Sequence, residues 1–240
     1  MKFLLIILKL VIIMLKDSLP FYQTPRINDL SIDANHEVDL ILSFVDKKIP
    51  DFPCYYQSIK DSEKENRISD NLVHHFELCI RRSGRDYPFR FGKNPTQAES
   101  DRETDVGVYL MCETISLPII EFEAKRLSES SNNKEYVCGA RGGIERFKRG
   151  HHSSRLKVCG MFGYVQSRTA DEWIKKINDW IVELSKNNPD SSIDWSDAKE
   201  ILCKKESLSS VEKLSSEHQR SLQKDSIVLW HYLIDLVSKS

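Results

Sequence analysis

Short runs of alternating apolar and polar residues predict two neighbouring β-strands near the middle of the chain. The first run covers residues 104–110 (TDVGVYL), and the second covers residues 119–125 (IIEFEAK). Both have the apolar density or the period of two that strands show. Pro118 marks a break just before the second run.

The second predicted strand carries three charged residues on one face. Side chains alternate between the two faces of a strand, so Glu121, Glu123 and Lys125 lie on the same side. Charges are costly to bury unless they meet one another or a metal ion. If the two strands pair as a hairpin, Asp105 lies beside them. This arrangement suits a divalent cation and a phosphate; the alternative is a solvated face with a cross-strand ion pair.

Apolar residues with a helical period predict three longer helices. These helices cover residues 33–48, 67–82 and about 170–184. Thr169 and Glu172 have the capping-box spacing that begins the last of them.

The rest of the chain gives shorter elements. Strands are expected at residues 87–91, 158–166 and 227–237. The last of these could also be a short buried helix, but its β-branched and aromatic content favours a strand. Short helices are expected at residues 144–149 and 194–203, and a loop at residues 51–66. The Ser/Glu/Lys-rich stretch after residue 203 is assigned no element.

An apolar run, MKFLLIILKLVIIML, occupies residues 1–15. It is shorter than the roughly 20 residues of a membrane-spanning helix, Lys9 interrupts it, and no small-residue cleavage site follows. It is therefore an interfacial anchor, a poor secretory signal, or an upstream extension with translation starting at Met14. The extension is favoured.

Composition and charge exclude few functions. The chain has 240 residues, of which 40% are hydrophobic and 30% charged, as in ordinary soluble proteins. The net charge of −1 means that any surface for nucleic acid must be local. The six cysteines show no C-x-x-C spacing, which argues against a zinc site or a disulfide framework and favours a reducing cytoplasm.

A local basic segment does occur at residues 141–157, where six Lys/Arg and two histidines accompany one acid, Glu145. Glycines ahead of the predicted helix can expose N–H groups to a phosphate, and basic side chains add affinity for a nucleic-acid backbone. A solvated charged face is the alternative. The candidate contacts are Arg141, Arg146, Lys148 and Arg149.

The order helix, strand, strand, strand, helix, strand over residues 67–166, together with Asp105 and Glu123-Ala124-Lys125, resembles the PD-(D/E)XK nuclease superfamily. The resemblance implies an α/β (α+β) fold with a restriction-endonuclease-like αβββαβ core, whose mixed central sheet is flanked by helices. It also implies that Asp105 and Glu123 hold a metal, that Lys125 is catalytic, and that Glu77 on the first helix joins them. Thr104 stands where the family pattern has proline.

The resemblance predicts a nuclease that hydrolyses phosphodiester bonds, with DNA favoured as substrate and Mg²⁺ or Mn²⁺ as cofactor. No organic cofactor is expected. The Ala124 carbonyl is a candidate third ligand, and Gln166, at the end of the fourth strand, is a further candidate substrate contact. Glu121 is a second acid on the same face, although the lysine two residues after Glu123 favours Glu123.

The predicted organisation has four parts: an apolar extension at 1–16, a helical and loop segment at 17–66, a nuclease-like core at 67–186 and a carboxy-terminal appendage at 187–240. The rival hypothesis is a non-catalytic interaction protein on the same fold. Its amino-terminal apolar segment would touch a membrane, and Glu123 and Lys125 would form only an ion pair.

Overall fold

The computed structural model describes residues 30–59, 62–95, 103–111, 117–139, 142–196 and 198–237. The apolar run at residues 1–15, Met14 included, and Arg141 lie outside the described residues. The chain divides into two compact units, Met1–Glu37 and Val38–Ser240. In the described part of the chain, no helix is long and apolar enough to cross a membrane.

The described residues form helices and strands in alternation. The helices are α1 (Leu30–Lys48), α2 (Phe52–Ile59), α3 (Glu65–Arg82), α4 (Gly143–Lys148) and α5 (Ala170–Lys186), with 3-10 turns at Ile49–Asp51 and Asn133–Tyr136. The strands are β1 (Phe89–Lys93), β2 (Val106–Leu110), β3 (Ile120–Leu127), β4 (Val158–Val165), β5 (Cys203–Leu208), β6 (Val211–Gln219) and β7 (Ser226–Asp235).

The strands form one seven-stranded mixed sheet in the order β1-β2-β3-β4-β7-β6-β5. β3, β4 and β7 run parallel to one another, and the remaining neighbours pair antiparallel. One apolar core contains Phe44 of α1 and Phe76 of α3, and the other contains Trp173 and Ile177 of α5. The prediction of a mixed sheet flanked by helices is therefore confirmed.

Strand β3 lies in the interior of the sheet because β2 pairs with it on one side and β4 on the other. Phe122 and Ala124 belong to the first core, whereas Leu127, on the opposite face, belongs to the second. Glu121, Glu123 and Lys125 share the face of Leu127, as the period of two predicts, and all three are buried.

The predicted hairpin of β2 and β3 is confirmed. Val106 pairs with Phe122, and Gly107 pairs with Glu121. One further step in this antiparallel register places Asp105 opposite Glu123. The charged residues of the two strands therefore meet at the amino-terminal end of β2.

The loop predicted at residues 51–66 is wrong over Phe52–Ile59, which is helix α2. Pro53 fits the first turn of a helix, and buried Phe52 and Tyr56 attach α2 to the core.

The carboxy-terminal part also differs from its predictions. Residues 198–202 form turns and bends instead of a helix, and the polar stretch after residue 203 forms β5 and β6. The predicted strand at residues 227–237 is confirmed as β7. Since β7 lies between β4 and β6, the sheet continues across the predicted domain boundary at residue 187.

Candidate active site

The backbone of Ala124 on β3 is the centre of a charged cluster. Asp105, just before β2, accepts a hydrogen bond from the Ala124 N–H through Oδ2 at 2.7 Å. The Lys125 Nζ donates to the Ala124 carbonyl oxygen at 2.8 Å. A carboxylate and an ammonium group therefore attach to the same residue of the strand.

Glu123 and Lys125 are bonded to each other on one face of β3. The Lys125 Nζ donates to Glu123 Oε1 at 2.7 Å, and the Glu123 side chain is 3% exposed. The structure thus pairs the lysine with Glu123. Glu121 accepts instead from Ser153 Oγ at 2.5 Å and from Thr104 Oγ1 at 3.3 Å.

Glu65 brings a third carboxylate to this cluster from the first turn of α3. Its Oε2 accepts from the Arg126 N–H at 2.9 Å, and its Oε1 lies 3.6 Å from the Lys125 Nζ. The sequence analysis missed Glu65 because it began this helix at residue 67. An acid in a first helical turn, where it complements the helix dipole, was the available signal.

Arg146 and His152 approach Glu123 from the side of α4. The Arg146 Nη1 lies 3.3 Å from Glu123 Oε1 and 3.1 Å from His152 Nε2. The His152 Nε2 lies 3.5 Å from Glu123 Oε2, and the His152 ring is fully buried. Arg146 was predicted as a backbone contact for nucleic acid, and the structure places it at the carboxylate cluster. His152 was not predicted.

The environment raises the pKa of both Asp105 and Lys125, which favours the neutral carboxyl group of the first and the charged ammonium group of the second. Burial, and then the neighbouring charge of Glu123, raise the pKa of Asp105 to about 7 against the opposing effects of Lys125 and the Ala124 N–H bond. Burial alone would lower the pKa of Lys125, but Glu123, Glu65 and Asp105 hold it above its ordinary value. At neutral pH the lysine is therefore an ammonium ion, and Asp105 exchanges a proton readily.

Glu77 does not join this cluster, so its assignment to the site was wrong. Its Oε1 accepts from the Phe91 N–H at 2.9 Å, and its Oε2 lies 4.0 Å from the Arg90 Nε. β1 is an edge strand, and Glu77 satisfies one of its backbone donors.

Two of the predicted nucleic-acid contacts, Lys148 on α4 and Arg149 just after it, are bonded to carboxylates. Lys148 is fully buried, and its Nζ is hydrogen-bonded to the carboxylate of Glu200. The prediction that Lys148 faces a phosphate backbone was therefore wrong. Arg149 donates to Glu145 at 2.8 Å and is also bonded to Asp190, but its side chain is 24% exposed, so its contact with a nucleic acid stays a prediction.

Gln166, which follows β4, forms two hydrogen bonds beside the cluster. Its Oε1 accepts from the Nε of Arg126 on β3 at 2.8 Å, and its Nε2 donates to the Glu63 carbonyl at 3.0 Å. The first bond joins the end of β4 to β3, and the second joins it to the segment that precedes Glu65. The side chain fixes the position of that segment.

Within the described residues, no group of three His, Cys, Asp or Glu side chains is placed to hold a metal ion. Mg²⁺ needs only one or two carboxylates, since it keeps several waters. The cluster offers Asp105, Glu123 and the Ala124 carbonyl, all of them hard oxygen donors. With Asp105 ionised, three carboxylates face two cations, Lys125 and Arg146. A cation fits this excess of negative charge.

Fold and cluster together define the class: a mixed α/β protein with acids and a lysine buried on the central strands of its sheet. The chain matches no protein-family model, no curated protein and no solved structure at a significant level.

Proposed function

We propose that this protein is a Mg²⁺-dependent nuclease of the PD-(D/E)XK type that hydrolyses phosphodiester bonds, with DNA favoured as substrate. The observation that carries the proposal is the convergence of Asp105, Glu123 and Lys125 on the backbone of Ala124. Glu123 and Lys125 flank Ala124 on β3, whereas Asp105 lies 19 residues before Ala124 and is brought to it by the pairing of β2 with β3.

The arrangement of elements supports a restriction-endonuclease-like core. Helix α3, strands β1, β2 and β3, helix α4 and strand β4 follow one another in the αβββαβ order that the resemblance implies. The first helix also contributes an acid, which is Glu65 in this chain.

Asp105, Glu123 and the Ala124 carbonyl would hold Mg²⁺ or Mn²⁺. When bound, such an ion supplies an acidified water and offsets negative charge on the phosphate. In the net reaction a water oxygen forms a bond to phosphorus, one ester P–O bond breaks, and a water proton ends on the leaving oxygen.

Lys125 acts as an ammonium ion in this scheme. Its raised pKa makes it a poor base at neutral pH, but a good donor to a water or a phosphate oxygen. Arg146 brings a second cation to the same carboxylate from α4. Its planar guanidinium suits a phosphate oxygen next to the reacting bond.

The test is a cleavage assay on mixed single- and double-stranded DNA and RNA, in Mg²⁺ and in EDTA. The parent should cleave only with the metal, and Asp105→Asn should abolish cleavage. Glu77→Gln is the matched control, because Glu77 is a partly buried acid on α3 that bonds to β1 and not to the cluster, and it should cleave like the parent. Loss of activity in both variants, or cleavage in EDTA, would contradict the proposed site.

A second candidate function is a non-catalytic interaction protein. The observation that favours it is that Glu123 already accepts from Lys125 and lies 3.3 Å from Arg146, as in a structural ion-pair network. The two candidates differ in their response to Mg²⁺. A metal site raises the melting temperature of the parent but not of Asp105→Asn, since only the folded parent binds the ion; a structural network gives no shift in either protein.

A further inference from the structure

A cleft of about 470 Å³ adjoins the charged cluster. Its lining includes Arg146 and His151 from the α4 region, and Leu184 and Pro189 from the end of α5 and the segment after it. This volume lies within the roughly 300–1,000 Å³ range of small-molecule sites. We call this space the side cleft.

Arg146 connects the side cleft to the cluster. It lines the cleft, and its Nη1 lies 3.3 Å from Glu123 Oε1. Within the described part of the chain, its contacts to Glu123 and His152 both use Nη1. The guanidinium has five N–H donors, so its Nη2 and Nε groups can donate to a phosphate oxygen. A ligand in the cleft therefore lies next to the proposed reaction centre.

Apart from Arg146, the charged side chains of the lining are one cation, Arg149, and two acids, Glu145 and Asp190. Arg149 donates to Glu145 at 2.8 Å and is bonded to Asp190, so the two acids of the lining already share a cation. A bare phosphate consequently gains little from the cleft away from Arg146. Leu184 is 5% exposed and Pro189 is exposed, which gives the cleft an apolar wall.

A nucleotide has the matching distribution of chemistry, with an anionic phosphate at one end and a flat base at the other. Bases stack on rings and guanidinium planes and pack on apolar side chains. The lining offers the His151 imidazole, the Arg146 guanidinium and the apolar wall. An uncharged apolar ligand would use the apolar wall but not the cation at its edge.

We propose that the side cleft binds the nucleotide unit next to the phosphodiester bond being cleaved, with its phosphate on Arg146 and its base against Leu184, Pro189 and His151. This inference rests on the proposed function for the position of the reacting bond. The cleft would fix the position of the substrate relative to the reacting bond. Lys148 cannot contribute to this binding, because it is fully buried and paired with Glu200.

The experiment measures binding separately from cleavage, with the full chain. A fluorescein-labelled single-stranded hexanucleotide is titrated in EDTA, so that no cleavage consumes the probe, and anisotropy gives the dissociation constant. Pro189→Trp fills the cleft from its exposed wall. Ser191→Trp adds the same ring two residues away, at an exposed position outside the lining, and is the matched control.

Pro189→Trp should weaken binding about tenfold, the size of one lost stacking contact, while Ser191→Trp binds like the parent. His151→Ala, which removes a lining ring without filling the cleft, should also weaken binding. In Mg²⁺, Pro189→Trp should raise KM and leave kcat unchanged. Equal dissociation constants for the two tryptophan variants and for His151→Ala would overturn the inference even if the parent cleaves.

Failure of the proposed function has a different signature. If the parent shows no Mg²⁺-dependent cleavage but Pro189→Trp still weakens binding relative to Ser191→Trp, the cleft is a nucleotide site in a protein without the proposed activity. Circular dichroism of each variant, unchanged from the parent, shows that the comparison concerns folded proteins.

Discussion

Glu65 and Glu77 belong to the same helix, and only Glu65 reaches the charged cluster. Twelve residues separate them, which is about 18 Å along a helix at 1.5 Å per residue. A carboxylate at one end of α3 can therefore act on Lys125, while the other supports the edge strand β1.

Glu65→Gln should lower the cleavage rate about 10–100-fold, the usual cost of losing an outer partner of a metal site. The amide cannot balance the ammonium of Lys125, although it can still accept from the Arg126 N–H. Single-turnover cleavage in Mg²⁺ measures the effect. Glu77→Gln is the control, since an amide oxygen can replace the acceptor for Phe91. If both substitutions lowered the rate equally, the placement of Glu65 at the site would be refuted.

Lys125→Ala should reduce the rate at saturating substrate by about 10²–10³-fold, as expected for one preorganised electrostatic contact. Substrate affinity should change little, because the ammonium acts on charge that develops during the reaction. Lys134→Ala, which removes an exposed lysine paired with Glu183, provides the comparison. A Lys125→Ala protein that cleaves as fast as the parent would leave the lysine without a catalytic role.

At the scale of elements, the short helix α4 faces two environments. Arg146 and Lys148 are two residues apart, which turns their side chains by about 200° around a helix of 3.6 residues per turn. Arg146 consequently points to Glu123, whereas Lys148 enters the core beside Glu200 and the Trp195 ring. The basic segment is therefore divided between the site and the core.

Lys148→Met should destabilise the fold by about 3–5 kcal/mol, because it leaves the buried Glu200 carboxylate without its ammonium partner. Adding Glu200→Gln should recover much of this loss, since the remaining group is neutral and still accepts from nearby N–H groups. Urea denaturation at pH 7 gives both free energies of unfolding. If Lys148→Met kept full stability and instead bound DNA more weakly, Lys148 would be a surface residue after all.

At the scale of the whole molecule, a buried polar chain crosses the second core. The Tyr136 hydroxyl lies 2.9 Å from His231 Nδ1, and Ser216 Oγ lies 2.7 Å from both His231 Nε2 and His218 Nε2. The His218 Nδ1 lies 3.6 Å from Glu200 Oε2. This row of side chains connects the 3-10 turn at Asn133–Tyr136 to β7, to β6 and to the turn that carries Glu200.

Burial lowers the pKa of His218 and lowers that of His231 well below its ordinary value. Both rings therefore take up a proton at a lower pH in the folded protein than in the unfolded chain, which takes up protons near pH 6.5. Their contribution to stability is fully present above pH 6.5 and is lost as the pH falls below it, by up to about 1.4 kcal/mol per pH unit for each ring.

Between pH 7.5 and pH 5.5 the melting temperature of the parent should fall relative to that of His231→Gln, which should be lower than the parent at pH 7.5. The comparison isolates this ring from Asp105, whose raised pKa has the opposite effect on stability in both proteins. His74→Gln, at an exposed histidine, should follow the parent at every pH. Calorimetry across this range checks the curves. Parallel curves for the parent and His231→Gln would show that the His231 ring is not neutral and buried.

What the sequence determined by itself is local. The period of two in residues 119–125 placed Glu121, Glu123 and Lys125 on one face of β3, because alternation is a property of the strand and not of its neighbours. The capping box at Thr169 and Glu172 marked the start of α5 for the same reason. The order of elements from α3 to β4 also followed from local patterns.

Packing decided the remainder. β6 buries Ser216 and His218, so its inward face did not show an apolar pattern, and the pairing of its backbone with β5 and β7 makes it a strand. Glu65 reaches the cluster and Glu77 does not, because they lie at different ends of α3. Arg146 reaches the cluster and Lys148 does not, because they lie on different faces of α4. Charged residues are costly to bury unless a partner compensates for the lost water. Their place is set by the partners that the tertiary structure supplies, and a sequence pattern does not contain those partners.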